Sequence, residues 1–125
     1  MAAERNAARR AGTGAAAGTG DALDGVRQSF NARLIQDHER FVALRAALRA
    51  RQVPPEAIIA ELRNRAHKVR GGAAIFEMRE LAATACALEE AAIAASVQVR
   101  QGEAMVEAPL ASLINFLALT IAANG

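Results

Sequence analysis

The amino-acid sequence predicts an all-α protein, an antiparallel up-down-up-down four-helix bundle. Apolar residues recur at steps of three and four in four separate segments, which is the spacing of one face of a helix. Short segments containing proline, glycine or polar residues separate them. No stretch alternates between apolar and polar residues as a half-buried strand does. Short turns between consecutive helices favour antiparallel neighbours.

The length and composition indicate a single small cytoplasmic domain. A chain of 125 residues is typical of one domain. Its formal charge of +2 is too small for a general polyanion binder. The single cysteine, Cys86, permits no internal disulfide, which suits a reducing compartment. No apolar leader opens the chain, and the longest strongly apolar run, Phe116 to Leu119, is far shorter than a membrane span. We therefore expect no membrane contact.

Residues 1–20 are predicted to form a disordered tail, and residues 21–125 the bundle domain. The tail has no large apolar residue beyond its first residue, so nothing anchors it. The first helix should begin at Asp21 or Asp24, either of which is a good N-cap, and run to about Arg51. Its predicted apolar face comprises Leu23, Val26, Phe30, Leu34, Phe41, Leu44 and Leu48.

Three further helices are predicted. The second runs from Pro55 to about Ala74, with Pro55 in its first turn. The third runs from about Glu77 to Ser96, and the fourth opens at Glu107-Ala108-Pro109 and ends at Asn124-Gly125. The predicted core residues are Ile58, Leu62, Ala66, Val69, Ala73 and Phe76 in the second helix; Met78, Leu81, Ala82, Ala85, Cys86, Leu88, Ala92 and Ile93 in the third; and Val106, Leu110, Leu113, Ile114, Leu117 and Ile121 in the fourth.

His67 points away from the predicted core of the second helix. At 100° per residue it lies roughly 130° from the centre of the apolar face. Arg63 and Arg70 fall one turn on either side of it, and Lys68 follows it directly. Gly71 leaves the neighbouring surface without a side chain. Glycine inside a helix costs about 1 kcal/mol relative to alanine, and this chain uses alanine at 33 positions. We infer that the bare backbone at Gly71 gives access to His67.

The sequence around His67 resembles the signature of histidine-containing phosphotransfer (HPt) domains. The resemblance rests on His67-Lys68-Val69-Arg70-Gly71-Gly72-Ala73, followed by Phe76, Leu81, Cys86, Leu88 and Glu89. The helix layout is similar over roughly residues 25–123. The sequence departs from the family at two positions. Arg70 stands where the family usually has lysine, which keeps the charge but changes its geometry, and Glu77 stands where glycine often follows the phenylalanine.

This resemblance implies a four-helix bundle that carries a phosphoryl group on His67 between receiver-domain aspartates in a multistep phosphorelay. It implies receiver domains of response regulators or hybrid histidine kinases as partners, with the aspartate and the Mg²⁺ supplied by the receiver. Neutral imidazole is a competent nucleophile toward phosphorus, and phosphoryl transfer needs positioning and charge stabilisation above all. No nucleotide-binding motif is present. We therefore expect a phosphocarrier without a cofactor, an ATP site or autokinase activity.

Two groups of residues are expected to assist His67. The phosphoryl oxygens should be steadied by nearby cations, namely Arg70 first, then Arg63 and Lys68. Access and docking should depend on Gly71, Asn64 and Ala74.

The same residues bear on two other functions and on metal binding. A degenerate bundle would bind a signalling partner without phosphate chemistry. A nucleic-acid binder is disfavoured because the cations of the second helix spread around it without interleaved aromatic residues. No metal site is expected, since two distant histidines and one cysteine offer no ligand spacing. We interpret His38 as a boundary histidine, and Glu89 and Glu90 as part of a solvated face.

Overall fold

The described residues form four α-helices, which confirms the predicted all-α four-helix bundle. The computed structural model describes residues 13–51, 53–98 and 101–124, with side chains from residue 24 onward. Helix α1 spans Thr13–Ala50, α2 spans Pro55–Ile75, α3 spans Arg79–Ala95 and α4 spans Gly102–Asn124. The chain divides into two compact units, Met1–Phe30 and Asn31–Gly125, and the bundle described below lies in the second.

Contacts between the helices show that neighbours run antiparallel. Helix α2 packs against α3, and α3 packs against α4. Arg40 of α1 pairs with Glu61 of α2, whereas Asp37, one turn earlier in α1, pairs with Arg65, one turn later in α2. At the other side of α1, Glu107 of α4 pairs with both Arg45 and Arg49. Each helix therefore has two neighbours, and α2 lies diagonally across from α4.

The core of this unit is built from one apolar stripe of each helix. The predicted α2 stripe is confirmed at Ile58, Leu62, Ala66, Val69 and Ala73, all of which are buried, whereas Phe76 is only half-buried. Ile59, which the periodicity did not include, is buried as well. The buried residues of the other helices are Leu34, Phe41, Leu44 and Leu48; Leu81, Ala85, Leu88, Ala92 and Ala95; and Val106, Leu110, Leu113, Ile114 and Leu117.

Several residues predicted for the core lie at its boundary or outside it. Val26 is 53% exposed and Ile93 is 42% exposed. Cys86 is half-buried, and its Sγ lies 3.7 Å from Glu90 Oε2. These corrections share one cause. The buried face of each helix is narrower than the set of apolar residues that the 3.6-residue period places near it. Residues at the edges of each set are left partly in contact with water.

The first and last helices begin earlier than predicted. Helix α1 begins at Thr13, in a segment of alanine, glycine and threonine that has no apolar face. It therefore includes residues 13–20 of the predicted tail, while residues 1–12 lie outside the described residues. Helix α4 begins at Gly102, so Pro109 lies inside it rather than in its first turn. Proline there lacks the N–H that would bond to the carbonyl of Met105.

Gly102 starts α4 at a point of close helix contact. A Cβ placed on it would lie 3.1 Å from Ile59 Cδ1 and 3.2 Å from the carbonyl oxygen of Ala95. The residue is buried. The missing side chain therefore lets the first turn of α4 approach the end of α3 and the side chain of Ile59.

Helix α4 carries no ionisable side chain after Glu107, although it is 23 residues long. By length and composition alone it could cross a membrane, with a mean hydropathy of 1.7 over its most apolar window. The expectation of no membrane contact rested on the shorter apolar run from Phe116 to Leu119. One third of the most apolar window is buried, and the buried residues of α4 form part of the bundle core.

Helix α2 ends in a left-handed residue, Glu77, whose φ is 57°. The Met78 N–H donates to the carbonyl of Ala73 at 2.8 Å, and the Glu77 N–H donates to that of Ala74 at 3.1 Å. These two bonds define a Schellman C-cap, which favours glycine at the left-handed position. The turn therefore has the geometry typical of glycine although the residue is glutamate.

Glu77→Gly should raise the free energy of unfolding by about 1 kcal/mol, because glycine adopts this conformation without the steric cost that a Cβ brings. Denaturant unfolding measures the change. The matched control is Ala87→Gly at an exposed position within α3, which should lower stability by about 1 kcal/mol. A loss of stability in the Glu77 variant would contradict the prediction.

Glu61 joins α1 to α2 by accepting hydrogen bonds from Arg40, at 2.6 and 2.7 Å, and from Arg65, at 2.7 Å. The bond from Arg40 is the main cause that lowers the pKa of Glu61, from 4.5 to about 2. A carboxyl whose pKa is lower in the folded state stabilises the fold above its unfolded pKa. That contribution is lost as the pH falls through the folded pKa.

The unfolding free energy should therefore fall between about pH 4.5 and about pH 2, and Glu61→Gln should make this fall shallower. Denaturant unfolding at several pH values within that window measures the slope. Glu56→Gln is the control, because Glu56 is exposed and has no ion pair within the described part of the chain. Equal slopes for the wild type and the Glu61 variant would rule out the proposed contribution.

Candidate functional site

An uncharged exposed stripe runs along α2, with His67 at its centre. The positions three and four residues apart on this side of the helix share one face. All of them are exposed: Ala60, Asn64, His67, Gly71 and Ala74. The side chain of His67 is 61% exposed. Apart from His67, the stripe presents only small or neutral side chains, so the imidazole is its one titratable group.

Two buried residues close to His67 in the sequence fix the direction of its side chain. Ala66 and Val69 are buried against the core, which turns the imidazole outward as the periodicity predicted. A Cβ placed on Gly71 would meet nothing within 4 Å. Gly71 is therefore not required for helix packing, and the space beside His67 is open.

One ring nitrogen of His67 lies between a carboxylate and a guanidinium. Nδ1 is 2.8 Å from Glu89 Oε2 of α3 and 3.1 Å from Nη2 of Arg70. Arg70 Nε is in turn 3.1 Å from Glu89 Oε1. The three side chains thus form a closed triangle across the α2–α3 interface, and the other ring nitrogen, Nε2, is outside these contacts.

Glu89 is the most buried member of this triangle, with only 12% of its side chain exposed. Its Oε2 lies at hydrogen-bond distance from His67, whereas its Oε1 is buried without a hydrogen-bonded partner. Arg70 Nε lies within ion-pair distance of Oε1 but is not aligned for a hydrogen bond. Glu89 is therefore held beside the imidazole by charge and by one short hydrogen bond.

The place of Glu89 beside His67 is the part of the candidate site that sequence reasoning missed. It was assigned with Glu90 to a solvated face, and the structure corrects this: Glu90 is exposed, but Glu89 faces α2. The sequence feature that could have indicated this contact is the position of Glu89 directly after the core residue Leu88. That position places Glu89 at the edge of the interface, but the partner across the interface depends on how α2 and α3 are aligned.

The other predicted site residues lie around the triangle rather than in it. Arg63 and Asn64 line a groove of about 300 Å³ between α2 and the end of α3, together with Pro55, Glu56, Ile59, Ala60, Ala92, Ala95 and Ser96. Lys68 lies toward α1, where its charge acts on Asp37. Burial raises the pKa of that aspartate, and the charges of Arg65 and Lys68 oppose the rise. Of the predicted cations, only Arg70 therefore touches His67.

Arg63 and Lys68 have no ion-pair partner among the residues that the structure describes, whereas most of the arginines in the bundle have one. Both are exposed and flank the uncharged stripe. In the same part of the chain no group of three or more His, Cys, Asp or Glu side chains could hold a metal ion.

The bundle presents His67 on an exposed surface of α2, with a cation and a carboxylate at its ring. A protein of this class can hold a small group on an imidazole. The model of the Hpt domain family matches residues 26–122. The chain therefore belongs to the Hpt domain family, whose members are phosphocarrier modules of two-component signalling without a kinase site of their own. Comparisons with curated proteins and with solved structures gave no significant match.

Family membership fixes the general role of the protein. It takes part in phosphotransfer in two-component signalling and interacts with signalling partners such as receiver domains.

Proposed function

We propose that the protein carries a phosphoryl group on His67 between the aspartates of receiver domains in a multistep phosphorelay. The observation that carries this proposal is the open imidazole of His67, which is 61% exposed beside a glycine and in contact with Arg70. The partners are receiver domains of response regulators or hybrid histidine kinases in the cytoplasm. The receiver supplies the aspartate and the Mg²⁺, and the chain itself needs no cofactor.

In the proposed reaction the imidazole attacks the phosphorus of a receiver aspartyl phosphate in line with the leaving carboxylate. The bond from nitrogen to phosphorus forms as the bond from phosphorus to the aspartate oxygen breaks, and the aspartate leaves with the electron pair. Such a reaction depends on positioning and on stabilising the charge of the phosphoryl oxygens. A histidine fixed on a rigid helix, with a guanidinium at its ring, meets both requirements.

Arg70 is proposed to supply that charge stabilisation. Its guanidinium already lies 3.1 Å from the His67 ring, and guanidinium groups bind phosphoryl oxygens through charge-assisted hydrogen bonds. Arg70→Ala should slow phosphoryl transfer, or shorten the phosphohistidine lifetime, by about tenfold. Arg70→Lys should restore most of the loss because it keeps the charge. Single-turnover transfer from a phosphorylated receiver measures both variants.

The matched control for Arg70 is Arg79→Ala, which removes the same charge from an exposed position ten residues before Glu89 in α3. That distance is about 15 Å along the helix axis. The control should transfer at the wild-type rate. If Arg70→Ala transfers and holds phosphate like the wild type, then Arg70 has no part in the site.

The uncharged stripe of α2 is the proposed docking surface for the receiver. Asn64, Gly71 and Ala74 place only small or neutral groups around His67, so that a partner surface can approach the ring closely. The groove beside Asn64 continues this surface toward the start of α2 and has apolar walls at Ile59 and Ala95. Arg63 at its edge offers an unpaired positive charge to an acidic receiver surface.

The proposed function is tested by incubating the protein with each phosphorylated receiver domain of its source organism. The expected result is transfer of label to the protein, in a form that is labile in acid and stable in base, as phosphohistidine is. Label that is stable in acid, or no label with any receiver, would contradict the proposal. A complex with a receiver but no label would instead support the second candidate, a bundle that binds a signalling partner without carrying phosphate.

A further inference from the structure

The groove between α2 and the end of α3 carries one charge of each sign on its α2 wall. Glu56 lies at one end and Arg63 at the other, about 10 Å apart along the helix axis. From this arrangement we propose that the groove receives a helix of the receiver domain that carries a basic and an acidic side chain two turns apart, with apolar side chains between them. The proposal rests on the proposed function of His67 and adds to it the feature by which the protein selects its receiver.

The groove follows the axis of α2. Its α2 wall extends from Pro55 to Asn64, more than two helical turns, whereas α3 contributes only Ala92, Ala95 and Ser96. A volume of about 300 Å³ spread over that length admits side chains but not a polypeptide backbone. A partner helix can therefore lie against α2 and α3 and project its side chains into the groove, which is a common way for proteins to bind a helix.

The floor of the groove is apolar and firmly packed. Ile59, Ala92 and Ala95 are all buried. A Cβ on Gly102 would lie only 3.1 Å from Ile59 Cδ1, so the first turn of α4 packs directly against this floor. Apolar side chains that enter the groove leave water, which favours binding but does not distinguish one partner from another. Selection between partners therefore depends on the charges at the rim.

Both charges at the rim are available to a partner. Glu56 and Arg63 are exposed, and neither has an ion-pair partner in the part of the chain that the structure describes. By contrast, Glu61 and Arg65, only four residues apart on the same helix, pair with each other. A partner with the opposite charges can therefore bind Glu56 and Arg63 without breaking an existing ion pair.

The spacing of the two charges favours a helix as the occupant of the groove. A distance of about 10 Å is the rise of two helical turns, and residues seven apart on a helix share one face. On a strand the same distance is about three residues, and residues three apart on a strand point to opposite faces. Of these two regular structures, only a helix therefore presents both charges to the rim and the apolar side chains between them to the floor.

The order of the two charges fixes the direction in which the partner helix lies. Arg63 is one turn before His67, and Glu56 lies two turns further away on the same side of α2. The acidic residue of the partner helix is therefore at the end nearer His67, and its basic residue is at the far end. A helix with the reverse order would meet a like charge at both ends, and such repulsion is one way in which an interface rejects a wrong partner.

A charge swap on the full chain tests the proposal. Glu56→Arg combined with Arg63→Glu keeps the net charge and the apolar floor. Isothermal titration calorimetry measures the Kd of this variant for one unphosphorylated receiver, the one of the source organism that binds the wild type most tightly. The swap should raise Kd by about tenfold, because two attractive pairs become repulsive. The transfer rate at saturating receiver should stay unchanged.

The control exchanges charges in the same way at Arg79 and Glu80, two exposed positions of α3, and should bind like the wild type. Chemical-shift mapping on the nitrogen-15-labelled receiver identifies the segment that contacts the groove. Reversing the two charges of that segment should restore binding to the swapped protein and weaken binding to the wild type. A wild-type Kd in the swapped protein, or a contacting segment without such a charge pair, would overturn the proposal.

These measurements separate the role of the groove from the phosphorelay, since binding is read without phosphate. A receiver that binds as proposed but never labels the protein would sustain the role of the groove and contradict the proposed function. A receiver that labels the swapped protein with the wild-type Kd and rate would do the reverse. Sedimentation of the protein alone tests another occupant: a wild-type dimer that the swap abolishes would show that the groove holds a second copy of the chain instead.

Discussion

His67→Gln should abolish phosphoryl labelling of the protein by a phosphorylated receiver. The variant removes the nucleophilic nitrogen, since the lone pair of an amide nitrogen is delocalised and does not attack phosphorus. The fold should be unaffected, because His67 is 61% exposed and exposed substitutions usually change stability by no more than about 0.5 kcal/mol. Acid-labile label after incubation, compared with the wild type on the same gel, measures the effect, and circular dichroism checks the helix content.

The matched control is His38→Gln, which changes the only other histidine of the chain in the same way. His38 lies half-buried on α1, outside the triangle around His67. It should accept no label in the His67 variant, and its own replacement should leave labelling intact. Label that persists in His67→Gln, or disappears in His38→Gln, would show that His67 is not the phosphorylated residue.

Gly71→Gln should slow phosphoryl transfer strongly while leaving the protein at least as stable as the wild type. A Cβ at position 71 meets nothing within 4 Å, and replacing glycine within a helix stabilises by up to about 1 kcal/mol. Helical side chains lean toward the N-terminus, so a glutamine there would lean over His67, one turn earlier. Displacing the reacting groups by about 1 Å can cost on the order of 100-fold in rate.

The test is a thermal melt and a transfer time course on one preparation. Gly71→Ala, which adds only the Cβ, should gain stability and transfer at nearly the wild-type rate. Ala57→Gln adds the same long side chain at an exposed position ten residues before His67 and should transfer normally. A wild-type rate in folded Gly71→Gln would mean that the glycine does not provide access. A large loss of stability would mean that it serves packing after all.

The fold could be predicted from the sequence because each helix carries its own periodic apolar stripe. In α2 the stripe from Ile58 to Ala73 and the outward direction of His67 both follow from the helical period and need no knowledge of the neighbouring helices. The predicted helix ends were less accurate. Pro109 was interpreted as the first turn of α4, yet the helix starts at Gly102, because proline within a helix is tolerated when packing compensates for the lost hydrogen bond.

The parts of the site that involve two helices could not be predicted. The contact between His67 and Glu89 depends on the relative position of α2 and α3 along their axes, and neither helix encodes that position alone. The groove beside Arg63 has the same origin, since its walls come from both helices. Sequence reasoning therefore identified the proposed nucleophile and the neighbouring cation on its own helix, but not the carboxylate that faces them.

The absence of ionisable side chains after Glu107 has a consequence for how the protein meets its partners. The charged residues of α4 are confined to its first two turns. The rest of α4, which lies diagonally across from the helix that bears His67, carries no ionisable side chain. With a net charge of only +2, the distribution of charge on the bundle matters more to a charged partner than its sum. The charges should therefore orient a charged partner as it diffuses toward the protein, rather than simply attract it. Added salt should slow this association but leave the rate of transfer within the formed complex unchanged.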